Sequence, residues 1–115
     1  MDVTIYHNPR CSKSRQTLEL LREKGIEPSI IEYLKTPPSA PEIADILAKL
    51  NRTPRELMRV KEPEYKEQGL NDAALDDGAL INAMVATPKL MERPIVLANG
   101  RAAVGRPPED VLKIL

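Results

Sequence analysis

The 115-residue chain has no phenylalanine and no tryptophan, and three tyrosines are its whole aromatic complement. Its core must therefore be built from Leu, Ile, Val, Ala and Met, and the aromatic platforms on which single-stranded nucleic acids stack are lacking. Charge of one sign is missing too, because 17 Lys and Arg balance 17 Asp and Glu. Without a net field to attract phosphate backbones or anionic lipid, neither nucleic acid nor a membrane surface is an expected partner. No run approaches the roughly 18 consecutive apolar residues of a membrane span.

Cysteine and histidine are nearly absent, each occurring once, as Cys11 and His7. A single thiol excludes an intrachain disulfide, a CxxC couple and a Cys/His zinc cage, so no metal site is expected. Any sulfur redox chemistry must borrow a second thiol from another molecule. The first residues run straight into a strand-like segment followed by Arg10, Lys13 and Arg15, not into the apolar stretch of a signal peptide, which makes a reducing, cytoplasmic setting the expectation.

What is present fits one domain over residues 1–115. Val3-Thr4-Ile5-Tyr6 reads as a β-branched strand stopped by the turn formers His7-Asn8-Pro9-Arg10. A helix should follow, capped by Ser12 or Ser14, with Leu18 and Leu21 on one face and Gly25 as its stop. Pro28 to Tyr33 reads as a second, largely buried strand, completing a right-handed βαβ unit with parallel strands.

A helical insert is expected at about residues 39–91. Ser39-Ala40-Pro41-Glu42 and Thr53-Pro54-Arg55-Glu56 are both capping-box signatures, and Ile43, Ile46, Leu47 and Leu50 follow the first at helical spacing. The charged stretch up to Gly69 reads as a surface loop or a broken turn, and Leu80, Ile81, Met84 and Val85 mark a further helix ending near Thr87-Pro88. From Pro94 the pattern returns to strand: Ile95 to Ala98, the turn Asn99-Gly100, then Arg101 to Val104 form a hairpin. A last helix over Glu109 to Leu115 would present Val111, Leu112 and Leu115. The order βαβ, helical insert, ββα gives an α/β, thioredoxin-like fold with a mixed four-stranded sheet.

Cys11 falls where the first strand gives way to the first helix. Unpaired helix N–H groups and the positive end of the helix favour thiolate over thiol there, and the same donors can hold an oxyanion against the sulfur. Arg10, Lys13 and Arg15 add positive charge, and His7 can add charge or orient the loop. A cysteine-phosphatase loop is disfavoured, since the position six residues after the cysteine is Thr17 instead of arginine. Arg93 and Arg106 flank the hairpin, whose first turn faces the first helix in such a sheet, and their planar guanidinium forks suit a tetrahedral oxyanion. Arg59 is a weaker candidate, and Pro94 either marks a strand edge or, with a cis bond, shapes the surface opposite the thiol.

Four separated segments carry a family resemblance: Ile5-Tyr6-His7-Asn8-Pro9-Arg10-Cys11-Ser12-Lys13-Ser14-Arg15, Glu56-Leu57-Met58-Arg59, Glu92-Arg93-Pro94-Ile95-Val96 and Gly105-Arg106-Pro107-Pro108. In this order the chain resembles the glutaredoxin-linked arsenate reductase (ArsC) family. The resemblance implies reduction of arsenate to arsenite with glutathione as co-substrate, glutaredoxin as protein partner and no bound cofactor. It implies Cys11 as nucleophile, His7, Ser14 and Arg15 as thiolate support, and Arg59, Arg93 and Arg106 as oxyanion ligands. Ser12-Lys13-Ser14-Arg15-Gln16 departs from the Gly-Thr-Ser-Arg-Asn of the better-studied branch, which also has a longer C-terminal tail. Two other readings compete: a monothiol glutaredoxin-like oxidoreductase acting on glutathione mixed disulfides, and a noncatalytic thioredoxin-like adaptor that binds RNA polymerase.

Overall fold

The computed structural model describes residues 2–115, in two compact units. One comprises residues up to Thr36 together with Arg93–Leu115, and the other is Pro37–Glu92. No helix among the described residues is long and apolar enough to cross a membrane.

The first unit is built on four strands: β1 (Val3–His7), β2 (Ser29–Glu32), β3 (Ile95–Ala98) and β4 (Arg101–Val104). They lie in the order β2-β1-β3-β4, with β1 parallel to β2 and antiparallel to β3. Helix α1 (Ser12–Glu23) is the crossover from β1 to β2, and Gly25, at φ +78°, ends it in the left-handed conformation that an L side chain resists. Asn99 and Gly100 both have positive φ, as the two-residue hairpin turn between β3 and β4 requires. The sheet is the mixed, thioredoxin-like one expected from the sequence.

One face of this sheet packs on α1 and on the chain's final segment. Val3, Ile5, Leu18, Leu21, Val96 and Val111 are buried together, an aliphatic cluster that replaces an aromatic core. Each such side chain contributes about 1.5–3 kcal/mol when fully withdrawn from water.

Three expectations for this unit need correction. Strand β2 is not largely buried: Ser29 and Ile30 are exposed and Ile31 and Glu32 half-buried, because β2 is the edge of the sheet. Neither Ser12 nor Ser14 caps α1. Cys11 occupies the N-cap without a side-chain cap bond, and Ser14 is wholly buried inside the first turn. The final segment is a 3-10 helix over Pro108–Ile114, burying Val111 and Ile114 while Leu112 and Leu115 are only partly covered. A spacing of three keeps two side chains on one face when there are three residues per turn, and the expected α-helical set of Val111, Leu112 and Leu115 does not apply.

Gly105, just after β4, shows how tightly the unit closes. A Cβ built there would lie 2.5 Å from Thr17 Oγ1 on α1 and 2.8 Å from Pro94 Cγ. Thr17 is fully buried, with its hydroxyl donating to the Lys13 carbonyl at 2.8 Å, so it cannot swing away freely. Gly105→Ala should therefore destabilise the protein by about 1–3 kcal/mol, the usual cost of overpacking. Denaturant unfolding checks this, and an unchanged midpoint would refute it.

The second unit contains α2 (Ala40–Leu50), α3 (Pro54–Leu57), α4 (Pro63–Glu67) and α5 (Asp77–Ala86). Both capping boxes form as read: Ser39 and Glu42 close reciprocally on α2, and Thr53 and Glu56 on α3. Ile43, Ile46 and Leu47 are the buried face of α2, and Leu80 and Met84 that of α5. Helix α4 lies where a loop or a broken turn was expected. Its anchor is Tyr65, buried and hydrogen-bonded by the Arg55 guanidinium, which also donates to the carbonyls of Leu70 (2.6 Å) and Asp72 (3.0 Å). One arginine on α3 thus fixes a charged stretch whose own periodicity is too short to read.

Candidate active site

The loop His7-Asn8-Pro9-Arg10 that carries β1 into α1 is held from four directions. Cys11 N–H donates to the Asn8 carbonyl at 3.0 Å, and Arg10 N–H to Asn8 Oδ1 at 3.0 Å. Asn8 N–H donates to Ser14 Oγ at 3.0 Å, and the Arg15 guanidinium to the Pro9 carbonyl at 3.0 Å. Four bonds over so few residues fix the Cys11 backbone before any ligand arrives, which is the preorganisation a nucleophile needs. Arg15 acts here as a strut of the loop.

His7 is buried at the end of β1, with Nδ1 2.6 Å from Ser14 Oγ. Burial, the largest influence, pushes its pKa below the ordinary 6.5, against an opposing pull from Glu32. The imidazole is thus neutral at neutral pH, which corrects the idea that it lends charge to the thiolate. In a neutral ring Ser14 O–H can donate to Nδ1 while its oxygen accepts Asn8 N–H, leaving the ring hydrogen on Nε2. His7 and Ser14 support the thiol by position.

This burial has a consequence for acid stability. With the folded-state value below 6.5, the unfolded chain takes up the proton first as pH falls. The contribution is complete above the unfolded value and is lost as pH drops through the folded one. Wild-type protein should lose stability between pH 7 and 5, with a shallower decline in His7→Asn. Melting curves across that range check it, and equal slopes would exclude His7 as the titrating group.

Cys11 is half-exposed at the N-cap of α1. The first intrahelical bond runs from Arg15 N–H to the Cys11 carbonyl, no side chain caps the turn, and the first turn contains no acidic residue. A twelve-residue helix thus presents uncapped N–H groups beside the sulfur, an arrangement suited to an anion.

The two hairpin arginines meet at this point. Arg106 Nε donates to the Arg93 carbonyl at 2.9 Å, and its NH2 group lies 3.9 Å from Cys11 Sγ. Arg106 follows β4 and Arg93 precedes β3, so the hairpin itself brings the two backbones together. Pro94, buried and following a cis peptide bond, accepts Gly105 N–H at 2.9 Å across the hairpin base. Arg93 Nε is buried and has no hydrogen-bond partner among the described residues. A buried unpaired donor costs about 1–3 kcal/mol, more when charged, and an incoming acceptor would recover that cost.

Arg59 lies in the unit Pro37–Glu92, just after α3. Its guanidinium pairs with Glu62 at 2.7 Å, and Glu62 is also approached by Lys89 at 3.6 Å. The sequence grouped three arginines; in the first unit Arg106 reaches Cys11 and is anchored on the Arg93 carbonyl, and Arg59 belongs to an ion-pair network of its own unit.

A thioredoxin-like sheet, one cysteine capping α1 and two hairpin arginines define a single-thiol protein equipped for an anionic ligand. The ArsC family profile matches residues 6–114, and the chain belongs to the ArsC family. An arsenate reductase of Neisseria meningitidis serogroup A is 52% identical over 115 residues, covering 99% of this chain and 98% of its own length. The uncharacterized protein YfgD of Escherichia coli K12 is 60% identical over 114 residues, covering 98% of this chain and 96% of its own. The solved structure of an arsenate reductase from Vibrio cholerae superimposes with a TM-score of 0.98 at 54% identity, covering 100% of this chain and 98% of that one.

Proposed function

We propose that the protein reduces arsenate to arsenite, with Cys11 as nucleophile and external thiols as the source of electrons. The observation that carries this reading is a half-exposed thiol at an uncapped helix N-terminus that Arg106 reaches, with Arg106 anchored on the carbonyl of Arg93, whose own Nε is buried and unpartnered among the described residues. A noncatalytic adaptor has no use for an arginine held against a half-exposed cysteine. Family membership and arsenate reductases at about half identity point the same way.

In the proposed sequence the Cys11 thiolate attacks arsenic(V), an As–O bond breaks, and the oxygen leaves as water after protonation. Arg93, Arg106 and the α1 N–H groups neutralise the remaining oxygens. Glutathione then condenses on arsenic, giving up its proton as a second oxygen leaves as water, with arsenic still As(V). A glutaredoxin thiolate attacks the glutathione sulfur, the S–As bond breaks, and its electron pair reduces arsenic to As(III) as a mixed disulfide forms. Water displaces Cys11, releasing arsenite and restoring the thiol. His7, Ser14 and Arg15 hold the loop throughout, and Arg59 enters as a third oxyanion ligand on its motif alone.

The whole chain acts as one catalytic domain in this reading, and the need for reduced partner thiols fits a cytoplasmic setting. The test is arsenite release by purified protein supplied with arsenate, glutathione and glutaredoxin. Turnover of glutathione mixed disulfides with no arsenite formed would favour the monothiol oxidoreductase instead.

A further inference from the structure

A second feature lies along the loop that leads to Cys11. A cavity of about 370 Å³ opens between the loop and the segment that leaves β2, lined by His7, Asn8, Pro9 and Arg10 on one side and by Glu32, Leu34 and Lys35 on the other. Its lining includes the residues that lead to the thiol, and one of them, Asn8, accepts Cys11 N–H through its carbonyl at 3.0 Å. Leu34 is 46% exposed, a large aliphatic side chain left open to water. The Arg10 guanidinium has no ion-pair partner among the described residues, and Lys35 makes only a loose 3.7 Å pair with Glu32 between exposed side chains.

This lining distinguishes between ligands. The cavity is of the size that holds small organic molecules, larger than a tetrahedral oxyanion requires. Glu32 would repel a bare anion entering beside it, and the apolar Leu34 and Pro9 offer it nothing. Two cations, one carboxylate and an aliphatic wall instead complement a small molecule with two carboxylates, one ammonium and an uncharged middle. We propose that this cavity binds the small thiol co-substrate, a peptide thiol with those charges, placing its sulfur toward Cys11 for condensation on the arsenic; the proposal rests on the reductase reading above. The step makes one S–As bond and breaks one As–O bond. The thiol proton leaves with the oxygen as water, and no oxidation state changes. Arg10 and Lys35 take the carboxylates, and Glu32, freed from Lys35, takes the ammonium.

The test compares glutathione with 2-mercaptoethanol, a neutral thiol that lacks every group the cavity would recognise. In Leu34→Ser/Lys35→Glu the KM for glutathione should rise about tenfold, equivalent to a lost apolar contact and a reversed surface charge, while kcat/KM with 2-mercaptoethanol changes less than about twofold. Equal losses with both thiols, no loss with either, or a rise confined to the KM for glutaredoxin would overturn the proposal, the last by making the cavity a protein-docking site. A reading without turnover separates this from the reductase assignment. Titration with S-methylglutathione should shift the amide resonances of Arg10, Leu34 and Lys35 in wild type and not in the double variant. Those shifts in a protein that forms no arsenite would sustain the cavity and remove the reductase reading. Arsenite formation without the shifts would do the reverse.

Discussion

Cys11→Ser should abolish arsenite formation, lowering it by about a thousandfold or more while leaving the fold intact. The size follows from chemistry that serine cannot supply. A hydroxyl at neutral pH is almost wholly protonated and is a poor nucleophile toward arsenic without an adjacent base. Its nearest candidate base, His7, has Nδ1 committed to Ser14 Oγ at 2.6 Å. A thousandfold loss corresponds to about 4 kcal/mol of transition-state stabilisation. The structural consequence has the opposite sign: Cys11 is the N-cap of α1 and makes no side-chain cap bond, whereas serine is among the preferred N-cap residues. The variant should therefore melt at or slightly above the wild-type temperature. Arsenite release read alongside thermal unfolding tests both halves, and activity surviving in a folded variant would end the proposal of Cys11 as nucleophile.

The parts of this site that could be read from sequence are those set by local chemistry. The Pro-Arg-Cys turn announces a strand-to-helix junction because Asn8 and Pro9 stop a β-branched run, and the junction fixes Cys11 at a helix end. The capping boxes at Ser39 and Thr53 and the Asn99-Gly100 turn likewise depend on contacts within four residues. What could not be read depends on long-range contact. Nothing in the segment Ser29–Glu32 says that β2 is an edge strand; that is a property of the sheet order. The α4 turn exists because Arg55 reaches Tyr65 and two distant carbonyls. Arg93 and Arg106 were legible as candidates from their places beside the hairpin. That the second is tied to the backbone of the first, and that Arg93 Nε is unpaired among the described residues, are facts of tertiary geometry.

The neutral state of His7 belongs to the same group. Its sequence context, four residues before a cysteine and among basic side chains, invites a charged role. Burial decides otherwise, because a desolvated imidazole loses more on protonation than Glu32 returns. The local positive field at Cys11 must then come from the helix end and from arginines, which stay protonated in any such setting. A chain of zero net charge is thereby able to hold a cationic site, with the balancing carboxylates placed elsewhere on its surface.

Arg93→Ala carries the second large effect, large on activity and small on stability. The Nε donor is buried and has no hydrogen-bond partner among the described residues, so a tetrahedral oxyanion would supply one. A charge-assisted hydrogen bond in a partly desolvated site is worth about 1.5–3 kcal/mol, which predicts a fall in kcat/KM for arsenate of about ten- to a hundredfold. The loss should be selective, because the Arg106 anchor survives: Arg106 Nε is held by the Arg93 carbonyl, which alanine retains. Removing an orphaned buried donor also relieves a penalty in the free protein, so the melting temperature should fall less than truncation of a packed arginine otherwise entails. Arg93→Lys should recover little activity, since an ammonium restores charge without the guanidinium fork. Steady-state kinetics with arsenate varied at saturating thiols distinguishes the possibilities. A higher KM alone marks a ground-state contact, a lower kcat marks a contact made at the arsenic intermediate, and unchanged kinetics with a lower melting temperature would make Arg93 a structural residue.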